Sequence, residues 1–426
     1  MEHFTEYPPR APPPSIFATQ SPPSLLSMAT NITPYKVSIP ATEVEKLNQK
    51  LMATRFAKET ENNNWSCGPP IGEIRRIATH WREAFNWSTF EEKLNKLPNF
   101  ETTISLDGFE PFQLHFLHQR SSVPDAIPLL FIHGWPGSFY EVTKLLSLVI
   151  ARGLPFHIVA PSLPNFGFSS GVDKPGFGMR QYAETCHKLM LGLGYEQYAG
   201  QGGDWGSSIS RLMGSLYPQS LRALHLNLIV ATPPPATAPL SFARFLITHL
   251  LNRYTPEEAA GLQKAQSFQG DGNAYFEIQK QRPQTIGMAL EDSPVGLLTW
   301  MFDKMKSWTD DYSWTDDEIC EWVSLYWFSR AGPAASVRIY HEAFKGEFVA
   351  DASLFTQGTK MGFSYFPKEM FRTPSFWNKQ LGDVVFEREH ERGGHFAAWE
   401  QPEALADDLC EMFQHDGLAY KSVMHQ

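Results

Sequence analysis

Cysteine is scarce in this chain: four residues in 426, Cys67, Cys186, Cys320 and Cys410, none paired at metal-ligand spacing. So sparse a set gives neither a disulfide-stapled scaffold nor a zinc-type cluster, and is read as reduced thiols in a reducing compartment. Long apolar runs are missing too. No stretch reaches the roughly 18 residues that cross a bilayer, and no basic, then apolar, then small-residue leader opens the sequence. A soluble, cytoplasmic protein without a membrane anchor is expected. Nor is there an excess of positive charge: 36 Lys and Arg stand against 46 Asp and Glu, a net charge of -10. That balance speaks against nucleic acid or an anionic membrane surface as partner.

What is present is ordinary for a large globular core, with 42% hydrophobic and 19% charged residues. The length suits two or three units, or one α/β domain with insertions. Aromatic residues make up 13%, with 12 Trp and 31 Phe, which fits large apolar pockets and equally a well-filled core.

Residues 1–34 are rich in Pro and Ser and read as a flexible tail, or as sequence ahead of an alternative start at Met28. Residues 35–98 carry helical spacing and no evident chemistry, and are assigned a structural role wrapping the core. Residues 99–231 alternate strands and helices, which predicts a mostly parallel sheet. Asp107-Gly108 marks a hairpin between two strands, and Pro128–Ile132 reads as a buried parallel strand. Alternation stops at Thr232-Pro233-Pro234-Pro235. From 232 to 345 the pattern is helical and dense in aromatics, as expected of a lid over the carboxyl ends of the strands. Strands return in 346–426, at Met361–Phe366 and Val384–Phe386, and a last helix runs from Pro402 to about Phe413. The fold class expected is α/β, an α/β-hydrolase with a helical lid and an N-terminal helical segment.

The chemistry centres on Gly202-Gly203-Asp204-Trp205-Gly206. It meets the pattern Gly-x-nucleophile-x-Gly, in which a sharp strand-to-helix turn exposes the nucleophile. A glycine-rich turn that merely carries an Asp would read the same in isolation. Chain order favours the catalytic reading, because the nucleophile should precede an orienting acid and then a histidine. His395, in Arg392-Gly393-Gly394-His395, is the candidate base, with His133 and His390 as other histidines to weigh. Glu369 follows a strand and is preferred as the acid over Asp383, which sits where a strand begins. The oxyanion hole would use the backbone N–H of Trp205 and that of Trp135 in His133-Gly134-Trp135-Pro136.

A carboxylate nucleophile suits displacement at saturated carbon and forms an alkyl-enzyme ester, which water activated by His395 then opens. Epoxides and alkyl halides are the substrates this admits. An epoxide needs a proton donor for its departing oxygen, such as a tyrosine pair, whereas a halide needs N–H donors such as indoles. Trp205, directly after the nucleophile, keeps a haloalkane dehalogenase in view.

Four motifs in order, His133-Gly134-Trp135-Pro136-Gly137-Ser138, Gly202–Ser207, Asp292-Ser293-Pro294-Val295-Gly296-Leu297 and Arg392–Ala398, resemble the microsomal-type epoxide hydrolase family, fungal branch. The likeness spans about Tyr35 to Phe413. It implies conversion of an epoxide to a vicinal diol without a cofactor or metal, by a homodimeric or membrane-associated enzyme. It also implies two epoxide-polarising tyrosines, Tyr275 and Tyr340, with Tyr326 the fallback for the latter. Read without the family, either tyrosine is also a plausible lid core residue, since Tyr packs with one polar end. The mammalian members' N-terminal anchor has a Pro-rich stretch in its place here. A biosynthetic enzyme that opens or cyclises a natural-product epoxide fits the same motifs.

Overall fold

The computed structural model describes residues 31–345 and 356–424. Most of the Pro-rich stretch, including Met28, lies outside the described residues, as does 346–355. Nine strands form one sheet: β1 (Thr33–Pro34), β2 (Asn99–Ile104), β3 (Phe112–Gln119), β4 (Ile127–Ile132), β5 (Phe156–Pro161), β6 (Tyr198–Gly202), β7 (Leu221–Leu226), β8 (Thr356–Tyr365) and β9 (Gly382–Glu389). Their order is β1-β2-β3-β5-β4-β6-β7-β8-β9. The pairings from β1 through β3 to β5 are antiparallel. All those from β5 through β4 to β9 are parallel. β4 reads Ile-Pro-Leu-Leu-Phe-Ile and is buried at every position, as a strand covered on both faces must be.

The order of strands locates the site. β4 lies between β5 on one side and β6 on the other, so the chain changes direction across the sheet there. In open α/β sheets ligands bind in the crevice outside the carboxyl ends at such a switch point. The loop 133–138 leaves the end of β4, and the turn 203–204 leaves the end of β6. These two loops face each other because β4 and β6 are hydrogen-bonded neighbours, with Ile132 opposite Gly202. Contact there is so close that a Cβ on Gly206 would overlap the Ile132 carbonyl, and one on Gly134 would overlap the Asp204 carboxylate.

Between residues 239 and 345 every element is helical, from Pro239–Leu250 to Arg338–Lys345. The motif at Asp292-Ser293-Pro294 is a helix junction: the Ser293 hydroxyl accepts from Gly296 N at 2.9 Å and caps Pro294–Ser307. Asp292 takes the Lys50 ammonium at 2.6 Å. The N-terminal helices were expected to wrap the core, yet much of their polar contact runs to the helix Asp316–Trp327. Arg76 pairs with Asp316, His80 with Asp317 at 2.7 Å and Lys93 with Glu321 at 2.8 Å. The Trp81 indole donates to Ser324 at 3.0 Å in a buried setting. This segment therefore holds the helical cover as well as the sheet. Two further differences from the sequence reading are local. Phe139–Val142 opens its helix as a 3-10 turn with a Ser138/Glu141 capping box. A further helix, Leu418–Met424, follows the one expected last and lies on β7 and β8. Among the described residues no helix is long and apolar enough to cross a membrane.

Gly206→Val tests the contact with β4. Its side chain meets backbone rather than a movable side chain, so unfolding free energy should fall by about 1–3 kcal/mol or more. Urea denaturation with an unchanged midpoint would contradict the packing described.

Candidate active site

Asp204 is the first residue of the helix Asp204–Leu216 and has φ 45°, a left-handed conformation that a non-glycine residue adopts under constraint. The turn lifts its carboxylate out of the end of β6 into the crevice. Trp135 N donates to Asp204 Oδ1 at 2.7 Å from the loop after β4, next to a cis Trp135–Pro136 bond. That loop is braced from the cover: the Trp322 indole donates to Pro136 O and the Tyr326 hydroxyl to Gly137 O, each at 2.5 Å. Trp205 N lies in the first turn of the helix, where amides point out of the helix end.

His395 Nε2 stands 3.4 Å from Asp204 Oδ2, and its Nδ1 is 2.7 Å from Glu369 Oε1. Glu369 reaches it from the loop beyond β8, where Met370 N also donates to Oε1 at 2.6 Å. The histidine's own backbone N–H donates to Trp308 O at 2.8 Å, so a cover residue helps seat it. Glycine at 394 is required there, since a Cβ would run into that same carbonyl.

The other candidates are engaged elsewhere. His133 is buried, accepts from Leu163 N at 3.1 Å, and is lowered to about 4 by burial, so it stays neutral and ties two loops together. His390 meets the buried Asp408 at 2.6 Å. Asp383 pairs with Lys360 near the start of β9, at the opposite end of the sheet from Asp204. Tyr326 is committed to Gly137.

Electrostatics set the protonation states. Burial alone would lower the His395 pKa, but Glu369 and then Asp204 outweigh it and hold it well above 6.5. The resting site is therefore an imidazolium between two carboxylates. Tyr275 and Tyr340 come from the facing helices Ala274–Gln281 and Arg338–Lys345. Tyr275 stacks on Trp135 at 5.5 Å and 11°, and Tyr340 stands edge-on to Trp205 at 4.9 Å. Burial, and to a lesser degree the Asp204 charge, raise both phenols far above 10, so both keep their protons.

Two cavities meet at Asp204. One, of about 270 Å³, is lined by Asp204, Tyr275, Tyr340 and apolar side chains, and extends to Arg211. The other, of about 20 Å³, lies between Asp204, His395, Asn227 and Glu141 and has room for about one water. Glu141 is pushed up to about 8, chiefly by burial. The sequence analysis singled out neither Glu141 nor Arg211. The spacing Asp204, Ser208, Arg211 on one helical face is a signal that could have flagged the second.

Residues 32–142 match the family described as "Epoxide hydrolase N terminus", and 127–264 match "alpha/beta hydrolase fold". A "Putative epoxide hydrolase" of Stigmatella aurantiaca is 38% identical over 90% of this chain and 85% of its own length. "Epoxide hydrolase 1" of Sus scrofa is 33% identical over 89% and 88%. The solved structure of Aspergillus niger epoxide hydrolase has a TM-score of 0.79 at 33% identity, covering 91% of this chain and 97% of that one.

The charge arrangement makes a direct prediction. Asp204→Asn removes one of the two carboxylates that raise His395, so the imidazole should titrate at lower pH than in the wild type, read by NMR of the ring protons. An unmoved titration would mean that Asp204 does not sense the histidine.

With these relatives and this fold, the chain belongs to the epoxide hydrolase family of the α/β-hydrolases, hydrolases that act on ether bonds.

Proposed function

We propose that this epoxide hydrolase works through a covalent ester on Asp204, with residues 232–345 serving as the lid that supplies the proton donors. The observation that carries the reading is the division of labour at the Asp204 carboxylate. Oδ1 is held by the Trp135 N–H, which leaves Oδ2 as the attacking atom. Attack by Oδ2 on an epoxide carbon breaks the C–O bond and places negative charge on the departing oxygen. Tyr275 and Tyr340, kept protonated by burial, donate to that oxygen and supply its proton. Trp135 N–H and Trp205 N–H then face the ester carbonyl, ready for the charge of the next step.

Forming the ester removes the charge on Asp204. One of the two partners that hold His395 protonated is lost, and its pKa falls. The imidazolium gives its proton to the phenolate left when the alkoxide was protonated and so becomes a base when a base is required, while Glu369 keeps its orientation. Water in the small cavity loses a proton to Nε2 and attacks Cγ of Asp204. The Cγ–Oδ2 bond breaks as Nε2 returns that proton to Oδ2, and the diol leaves with Oδ2; the water's oxygen stays in Asp204, whose acid proton passes back to His395. The sign for pH follows: ester hydrolysis speeds up as pH rises through the His395 value of the ester state, which lies below that of the resting state. A halide-displacing reading is less well supported, because two phenols line the cavity with Asp204, one of them packed against the Trp205 indole.

Single turnover with excess enzyme on an aryl epoxide in ¹⁸O-labelled water should give unlabelled diol and label in the Asp204 peptide. Labelled diol in the first turnover would instead mean direct attack by water. His395→Gln should form the ester and retain it, detectable as a mass increase equal to the substrate.

Replacing Tyr275 or Tyr340 by Phe should each slow ester formation by about 10²-fold, measured in the pre-steady state, with fold and ester hydrolysis retained. Unchanged alkylation in both variants would remove the phenols from the mechanism.

A further inference from the structure

The large cavity is mostly apolar, lined by Leu228, Val230, Phe276, Phe344, Phe371 and Leu381 among others, and its wall includes an arginine. Arg211 is 6% exposed. It lies on the helix that Asp204 opens, seven residues on, with Ser208 between them on the same face. All three line the one cavity. One guanidinium nitrogen, Nη1, donates to Val230 O at 3.0 Å. Nε and Nη2 are buried and have no hydrogen-bond partner, and among the described residues no carboxylate pairs with Arg211. Burial lowers its pKa only to about 10, so it is charged at neutral pH. A buried cation with two unused donors is costly to the fold, and a purely structural residue tying down Val230 O would not need that charge.

We propose that Arg211 binds a carboxylate on the substrate, so that the enzyme is selective for epoxides carrying an acid group at the far end of an apolar stretch. The inference rests on this cavity being the substrate site. The Nε–Nη2 edge is planar and matches a carboxylate in a two-point hydrogen bond once the side chain turns it to the cavity that Arg211 lines. Separation along the helix sets the scale: seven residues at a rise of 1.5 Å put Asp204 and Arg211 about 10 Å apart axially. The epoxide would sit at Asp204 beneath the two phenols, its apolar middle against the aromatic wall, and its carboxylate at Arg211. Ser208 lies midway and leaves the central stretch free of charge.

The test compares terminal-epoxide alkanoic acids of increasing chain length with their methyl esters. Wild-type enzyme should favour the acid by about tenfold or more in kcat/KM at the matching length, the scale of one charge-assisted pair, with the gain in KM. In Arg211→Met, which keeps the stem, the acid-to-ester ratio should fall to about one, and Arg211→Lys should restore part of it. A wild-type ratio near one, or a preference that survives Arg211→Met, would overturn the proposal while leaving epoxide hydrolysis intact. A second measurement needs no turnover. Calorimetric binding of a medium-chain alkanoate should exceed that of the matching alcohol in the wild type and lose that advantage in Arg211→Met. Equal binding of alkanoate and alcohol by the wild type would overturn the proposal even if no epoxide in the series were turned over, whereas lack of turnover alone would count against the Asp204 mechanism.

Discussion

A buried imidazole held between two carboxylates is the constraint on which the site depends. His395 stands 2.7 Å from Glu369 and 3.4 Å from Asp204, in a setting where burial by itself would strip its proton. Three groups of alternating charge in a low-dielectric crevice stabilise one another only if all three are placed to within a few tenths of an ångström. Each arrives on a different loop. Asp204 comes after β6, Glu369 after β8 and His395 after β9, so neighbouring parallel strands must all end at the same level. The sheet register is therefore also a statement about protonation.

The switch point between β4 and β6 serves the same end. Ile132 pairs with Gly202, and this brings the Trp135 N–H onto the carboxylate that the tight turn exposes. The left-handed Asp204 and the glycines around it belong to that approach, because side chains there would occupy the space of the Ile132 carbonyl and of the carboxylate itself. The turn packs against the end of β4, and the loop that faces it is braced from above by Trp322 and Tyr326 of the cover. Cover and sheet thus make one site. Trp308 supplies the carbonyl that seats His395, and Tyr275 stacks on Trp135. The N-terminal helices reach the site at one remove, by clasping the helix that carries Trp322 and Tyr326.

Much of this was legible beforehand, and the reasons are physical. A strand buried on both faces must be continuously apolar, so β4 announces itself in five or six residues. A sharp strand-to-helix turn needs small neighbours at fixed offsets, so Gly202–Gly206 does too. Loops that bare a backbone, such as Gly393-Gly394, mark where a chain passes close to another. Less legible was anything whose meaning depends on a partner far away in the chain. Glu141 went unremarked in the sequence, yet the cap it forms also places a buried carboxyl beside His395. Arg211 likewise went unremarked, and only its place in the fold shows that its fork lacks a carboxylate.

What the sequence by itself determined is the local geometry: which segments alternate, where the sharp turns fall, and in what order Asp204, Glu369 and His395 follow strand ends. These follow from short-range sterics and from burial patterns of period two or 3.6, which a few consecutive residues express. Tertiary structure alone decided which groups meet. It seated His395 under Trp308, turned Tyr275 onto Trp135 and committed Tyr326 to the Gly137 carbonyl. It also left two donors of Arg211 buried without a partner, on a residue that lines an apolar cavity. Those outcomes depend on the relative placement of elements far apart in the chain, and side-chain pairing at that range is set by packing, which no local pattern encodes.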